Sequence, residues 1–178
     1  MNPLRRKIDR TLASWKATAG HKPIVIKGCR QCGKTFSVMQ FARKYYKHVV
    51  YLNFVEHDDY KLAFEQSKAV DDIIMNISAM IPDTVFEEGE TCIVLDEIQE
   101  CPNARASLKF FKVDGRYDVI ATGSLLGVRG YGQREAKASI PVGYEHIEEM
   151  FPLDFENSFG LWALSRRRST TYLNAWPM

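Results

Sequence analysis

One eight-residue segment constrains this chain more than any other: Gly28-Cys29-Arg30-Gln31-Cys32-Gly33-Lys34-Thr35 fits the pattern G-x-x-x-x-G-K-[ST]. Gly28 and Gly33 permit backbone angles that a side chain forbids, so successive N–H groups can turn inward. With the amino end of a following helix, those amides form a pocket of positive potential suited to an oligophosphate. Lys34 brings a full charge to the β and γ phosphates, and the Thr35 hydroxyl is placed to ligate Mg²⁺. The pattern needs a strand running in and a helix running out, and both are present. The run from Gly28 to Phe36, with Cys29, Arg30, Gln31 and Cys32 inside it, is therefore the candidate nucleotide-binding segment.

Around the loop, short apolar runs alternate with helical spacing. Leu4, Ile8, Leu12 (or Thr11) and Trp15 predict an amphipathic helix over 4–18, ended by Gly20. Pro23-Ile24-Val25-Ile26-Lys27 predicts a buried strand. Helical spacing resumes over 34–47 through Phe36, Met39, Phe41 and Tyr45, and a second strand covers 49–54. Val70, Ile73, Ile74, Ile77 and Ile81 predict a helix over 69–81, stopped by Pro82. A third strand at 92–95, a short helix at 103–112 and a fourth strand at 117–122 follow. A glycine-rich loop with Gly127, Gly130 and Gly132 precedes a weaker strand near Ser139–Val142. Strands that are apolar throughout, alternating with helices, imply a parallel sheet covered on both faces. The expected fold is α/β, a three-layer sandwich with a mainly parallel five-stranded sheet.

Size and composition agree with one such domain: 178 residues are too few for two ordinary ones. At 46% hydrophobic and 26% charged residues, the chain is rich enough in apolar side chains to exclude disorder. A net charge of +2 indicates neither a polybasic nucleic-acid arm nor an acidic tail. No apolar run approaches the roughly 20 residues that span a bilayer. The basic start, MNPLRRKIDRTLASWK, lacks the apolar stretch of a signal peptide, and Asp9 argues against a mitochondrial presequence. Four cysteines, at 29, 32, 92 and 101, are too few for a secreted disulfide framework, so a cytoplasmic protein with reduced thiols is expected. Residues 1–156 read as the domain. The tail over 157–178 has no clean period and reads as a frayed end, a truncation or an altered frame.

The second chemical element is Ile93-Val94-Leu95-Asp96-Glu97, an acidic pair at the carboxyl end of a buried strand, where α/β sheets bind ligands. Asp96 is the candidate metal-holding carboxylate beside Thr35, and Glu97 the candidate base for an attacking water. Alone, an acidic turn after a strand is commonplace; opposite a phosphate loop it reads as a site. A base beside the terminal phosphate favours hydrolysis over kinase chemistry. Thr122 and Ser124 follow the fourth strand as candidate contacts to the γ phosphate or the water. Asn53 is a candidate partner that holds Glu97 away from water. Arg129 and Arg134 are candidates for an arginine finger on a neighbouring subunit. Cys29 and Cys32 have zinc or dithiol spacing, and Cys92 and Cys101 complete four ligands on paper. A metal there competes with the stronger loop motif; a redox-sensitive loop, with thiol pKa lowered by the helix end, is the better alternative.

With these residues in place, the chain resembles the prokaryotic AAA-type ATPases that carry a C-terminal domain of unknown function. The resemblance rests on GCRQCGKT at 28–35, VLDEIQECP at 94–102, ATGSLLG at 121–127, and IPVG with FPLDFE at 140–156. It implies a sheet in which the loop strand and the acidic-pair strand flank the Thr122 strand, with ATP and Mg²⁺ as ligands. It assigns Gly33, Lys34 and Thr35 to phosphates and metal, Asp96 to the metal, Glu97 to the water, and Thr122 or Ser124 to sensing. Relatives continue differently after Glu156, into a helical region and a further domain. The expected activity is ATP hydrolysis coupled to a protein partner, a second copy or another domain. A nucleotide-gated module with little turnover and a small-molecule kinase are the alternatives. No basic stripe with interleaved aromatics supports nucleic acid as partner.

Overall fold

The computed structural model describes residues 6–124 and 143–152. Helix α1 (Lys7–Ala17) leads into strand β1 (Ile24–Gly28), and α2 (Lys34–Tyr45) into β2 (His48–Asn53). Then come α3 (Val70–Met80), β3 (Thr91–Asp96), α4 (Pro102–Asp114), β4 (Asp118–Ser124) and β5 (His146–Met150). Helices and strands alternate as the sequence predicts, with boundaries shifted by a few residues. The apolar runs make the strands because β-branched residues fill a surface buried on both sides; every residue of β3 is buried.

The five strands form one sheet in the order β2-β3-β4-β1-β5, and all four pairings are parallel. β4 lies between β1 and β3, the arrangement the resemblance implies. Successive side chains of a strand point to opposite faces, so each strand feeds two cores. On one face Val25, Ile93, Leu95 and Val119 meet Ile73 and Ile77 of α3 and Leu108 and Phe111 of α4. On the other, Ile24, Ile26, Val94 and Ile120 meet Ile8, Leu12 and Trp15 of α1 and Val38 and Phe41 of α2. The three-layer α/β sandwich is established.

One expectation needs revision, and two further elements have no counterpart in the sequence reading. The buried face of α2 is Lys34, Ser37, Val38, Phe41 and Ala42, while Phe36 is 65% exposed and Tyr45 also faces out. Counting large apolar residues rotated the face, because small Ser37 and Ala42 are what let α2 pack closely on the sheet. A 3-10 turn over Asp58–Phe64, not foreseen, seals one core with Ala63 and Phe64. The fifth described strand is His146–Met150, entered through a bond from the His146 N–H to the Pro23 carbonyl. The strand expected near Ser139–Val142, the glycine-rich loop with Arg129 and Arg134, and the tail over 157–178 lie outside the described residues.

Candidate functional site

A parallel sheet gathers the carboxyl ends of its strands at one edge, and the sequence-predicted residues sit there. β1 runs out at Gly28 into the loop, β3 ends at Asp96, and β4 ends at Ser124, with Gly28 in register with Ser124. The loop's two glycines act differently. Gly33 has φ +86° and φ, ψ in the left-handed region, at the point where the chain turns into α2. Gly28 does not need positive φ; a Cβ there would meet the Met150 carbonyl oxygen at 2.4 Å and the Cys32 sulfur at 3.1 Å. Its lack of a side chain lets β5 close against the loop. The left-handed residue in mid-loop is Gln31, at φ +61°. The side chains of Arg30, Gln31 and Phe36 are exposed.

Lys34 is the most informative side chain. It is 5% exposed, and its ammonium donates to the Gly28 carbonyl at 3.2 Å and the Cys29 carbonyl at 2.8 Å. Among the described residues no carboxylate pairs with it. A buried cation is costly unless an anion compensates it, and this one stands at the first turn of a helix, whose N–H groups have no acceptor within the helix.

Opposite, Asp96 is 3% exposed and is surrounded by hydroxyls. Thr35 Oγ1 lies 3.1 Å from its Oδ1 and 3.0 Å from its Oδ2. Thr122, fully buried, donates to Oδ1, and the Tyr51 hydroxyl donates to Oδ2 at 2.7 Å. The Thr35–Asp96 pair is a set of hard oxygen donors of the kind that holds Mg²⁺ together with phosphate oxygens. The residues fit that ion. Among the described residues no group of three or more His, Cys, Asp or Glu side chains gathers as a metal cage. Cys101 packs in the core on the face of the sheet opposite Cys29, Cys32 and Cys92.

Glu97 follows with φ +55° and ψ +48°, a conformation that costs a side-chain-bearing residue of order 1 kcal/mol or more. That turn lifts its half-buried carboxylate off the end of β3, where Gln99 Nε2 donates to it at 2.5 Å. Asn53 does not hold Glu97. Its side-chain oxygen accepts from the Val55 and Glu56 N–H groups and its amide donates to Tyr51, because a polar residue ending a strand bonds most readily to the turn that follows. Ser124 closes β4, its N–H directed at the side-chain oxygen Oε1 of Gln99 at 3.4 Å.

Three participants escape sequence reasoning. Tyr51 is reached only once β2 and β3 are in register, and Gln99 only once the turn after β3 brings it back onto Glu97. Arg6 begins α1 and spans 26 residues to donate to the Cys32 carbonyl at 2.7 Å, laying its guanidinium against Gly33. The expected lowering of loop thiol pKa is not what Cys32 shows. Burial pushes its thiol up, the Lys34 charge opposes, and neighbouring Cys29 adds to the rise.

A family model described as an AAA domain matches residues 20–159. The chain belongs to the AAA domain family. No curated protein matches its sequence. Among solved structures, this AAA domain is similar to the Walker-type ATPase of Pyrococcus abyssi (TM-score 0.59, 12% identity, covering 95% of this chain and 59% of that one). It is also similar to AMPPCP-bound DnaA from Aquifex aeolicus (TM-score 0.56, 16% identity, 94% and 54%) and to a DNA replication initiation factor (TM-score 0.51, 16% identity, 90% and 49%). At such identities the likeness shows the fold, that of P-loop ATPases. The AAA domain spans between about half and three-fifths of these chains. No helix among the described residues is long and apolar enough to cross a membrane.

Proposed function

We propose that this AAA domain binds ATP and hydrolyses it with Mg²⁺, coupling nucleotide state to a protein partner, a second copy or a further domain. The observation that carries the reading is Lys34: a buried cation at a helix amino terminus that donates to loop carbonyls and, among the described residues, has no acid paired with it. A polyphosphate supplies the missing negative charge. The inward amides of Gly28 to Phe36 and the Lys34 ammonium bind the phosphates. Mg²⁺, when bound through Thr35 and Asp96, supplies Lewis-acid stabilisation of charge on the phosphoryl oxygens. Glu97 orients a water and accepts its proton as the water attacks the terminal phosphorus and the bond to the leaving oxygen breaks. Thr122 and Ser124, at the end of β4, report the state of that phosphate to the rest of the sheet. The four free cysteines support a cytoplasmic location for the protein.

Phosphate release by the purified chain tests the proposal. Wild type releases phosphate only with Mg²⁺ present. Glu97→Gln keeps ATP affinity within about twofold and loses about 100-fold or more of the turnover. Undiminished turnover in that variant contradicts the role of Glu97.

A further inference from the structure

We propose that Tyr51 is a positioning residue for the metal-holding carboxylate, fixing Asp96 so that one side of it stays open to Mg²⁺; the inference rests on the ATP–Mg²⁺ reading above. Register brings the residues together. β2 pairs with β3 so that Tyr51 stands beside Val94 and Asn53 beside Asp96, with Tyr51 and Val94 contributing to the same core. Tyr51 thus lies two residues short of the strand end, and its ring carries the hydroxyl forward to Asp96 Oδ2 at 2.7 Å.

The direction of that proton is determined. Asn53 Nδ2 donates to the Tyr51 oxygen at 3.2 Å, and Asn53 is itself locked by the Val55 and Glu56 N–H groups at 2.9 and 3.1 Å. A hydroxyl that accepts from an amide places its own hydrogen elsewhere, and the acceptor within reach is the carboxylate. The bond is charge-assisted, the strong class of hydrogen bond.

Tyr51 holds Oδ2 and Thr122 holds Oδ1, so the two oxygens are anchored from different strands, β2 and β4. Two anchors on different oxygens stop rotation of the carboxylate. Thr35 Oγ1 donates to both, at 3.1 Å to Oδ1 and 3.0 Å to Oδ2, and so defines the face of the carboxylate that a cation shared by Thr35 and Asp96 would use. Removing the Tyr51 hydroxyl frees Oδ2 to turn away from that face while leaving the phosphate loop untouched. Partners of metal ligands that are lost in this way typically cost 10- to 100-fold in metal affinity.

The test is a Mg²⁺ titration of fluorescent ATP-analogue binding to the full chain, read as the Mg²⁺ concentration at half effect. Tyr51→Phe raises that midpoint about tenfold, with metal-free nucleotide affinity within about twofold of wild type. Placing 4-aminophenylalanine at position 51 keeps a donor at the same point and restores the midpoint. An unchanged midpoint in Tyr51→Phe overturns the inference, as does an equal loss of metal-free and metal-dependent binding, the mark of a merely structural role. If wild-type binding ignores Mg²⁺, the ATP–Mg²⁺ reading itself falls and takes this inference with it.

Discussion

Gln99 Nε2 stands 2.5 Å from Glu97 Oε2, so the acid at the end of β3 is gripped by its own turn, two residues downstream. The same amide accepts from the Ser124 N–H at 3.4 Å, which ties the acid to the end of β4. One side chain thus bridges the two strand ends that frame the proposed reaction.

Gln99→Ala therefore loses orientation of Glu97 and leaves the phosphate loop alone. Turnover falls about tenfold, in line with the cost of slightly misplacing a reacting group, and ATP affinity by calorimetry stays within about twofold. Equal turnover in the two proteins contradicts the bridge.

Gly28→Ala tests the packing of β5 on the loop. A methyl placed 2.4 Å from the Met150 carbonyl oxygen forces backbone apart. Overpacking of this kind costs about 2 kcal/mol, which lowers the melting temperature of a chain this size by roughly 4–8 °C. A melting temperature equal to wild type shows that β5 does not close on the loop as described.

Much of this arrangement is legible in the sequence, and the rest is illegible for physical reasons. The strands β1 and β3 announce themselves because burial on both faces demands unbroken apolar runs such as Ile24-Val25-Ile26 and Ile93-Val94-Leu95. The loop and Asp96 are readable because their chemistry fixes spacing along the chain. β5 is an edge strand whose His146, Ile147, Glu148 and Glu149 are exposed or half-exposed, so it carries no apolar signature. Tyr51 reads as one more strand aromatic, and only pairing with β3 turns it toward Asp96. Arg6 belongs to a helix start that spacing alone assigns to packing, and its bond to Cys32 is tertiary. Gly28 is legible as a glycine but not for its actual reason, a close approach by a strand 122 residues later.

Alkylation at pH 8 separates the cysteines. Burial raises the thiol pKa of Cys32, Cys92 and Cys101 above the ordinary value of 9.0. A raised thiol pKa leaves less thiolate at a given pH, and thiolate is the species that reacts. Iodoacetamide followed by peptide mass spectrometry accordingly finds Cys29, which is only half-buried, labelled first. The other three lag until the pH rises or denaturant is added. Labelling of Cys32 as fast as Cys29 contradicts the burial described for the loop.

Calorimetric titration of the whole chain with ATP and Mg²⁺, side by side with Lys34→Ala, reaches the central claim most directly. Wild type is expected to give saturable heat with one ATP per chain, and Lys34→Ala to bind at least tenfold more weakly, a loss of about 1.4 kcal/mol or more. A folded wild-type protein that gives no heat, or a Lys34→Ala variant that binds ATP equally well, contradicts it.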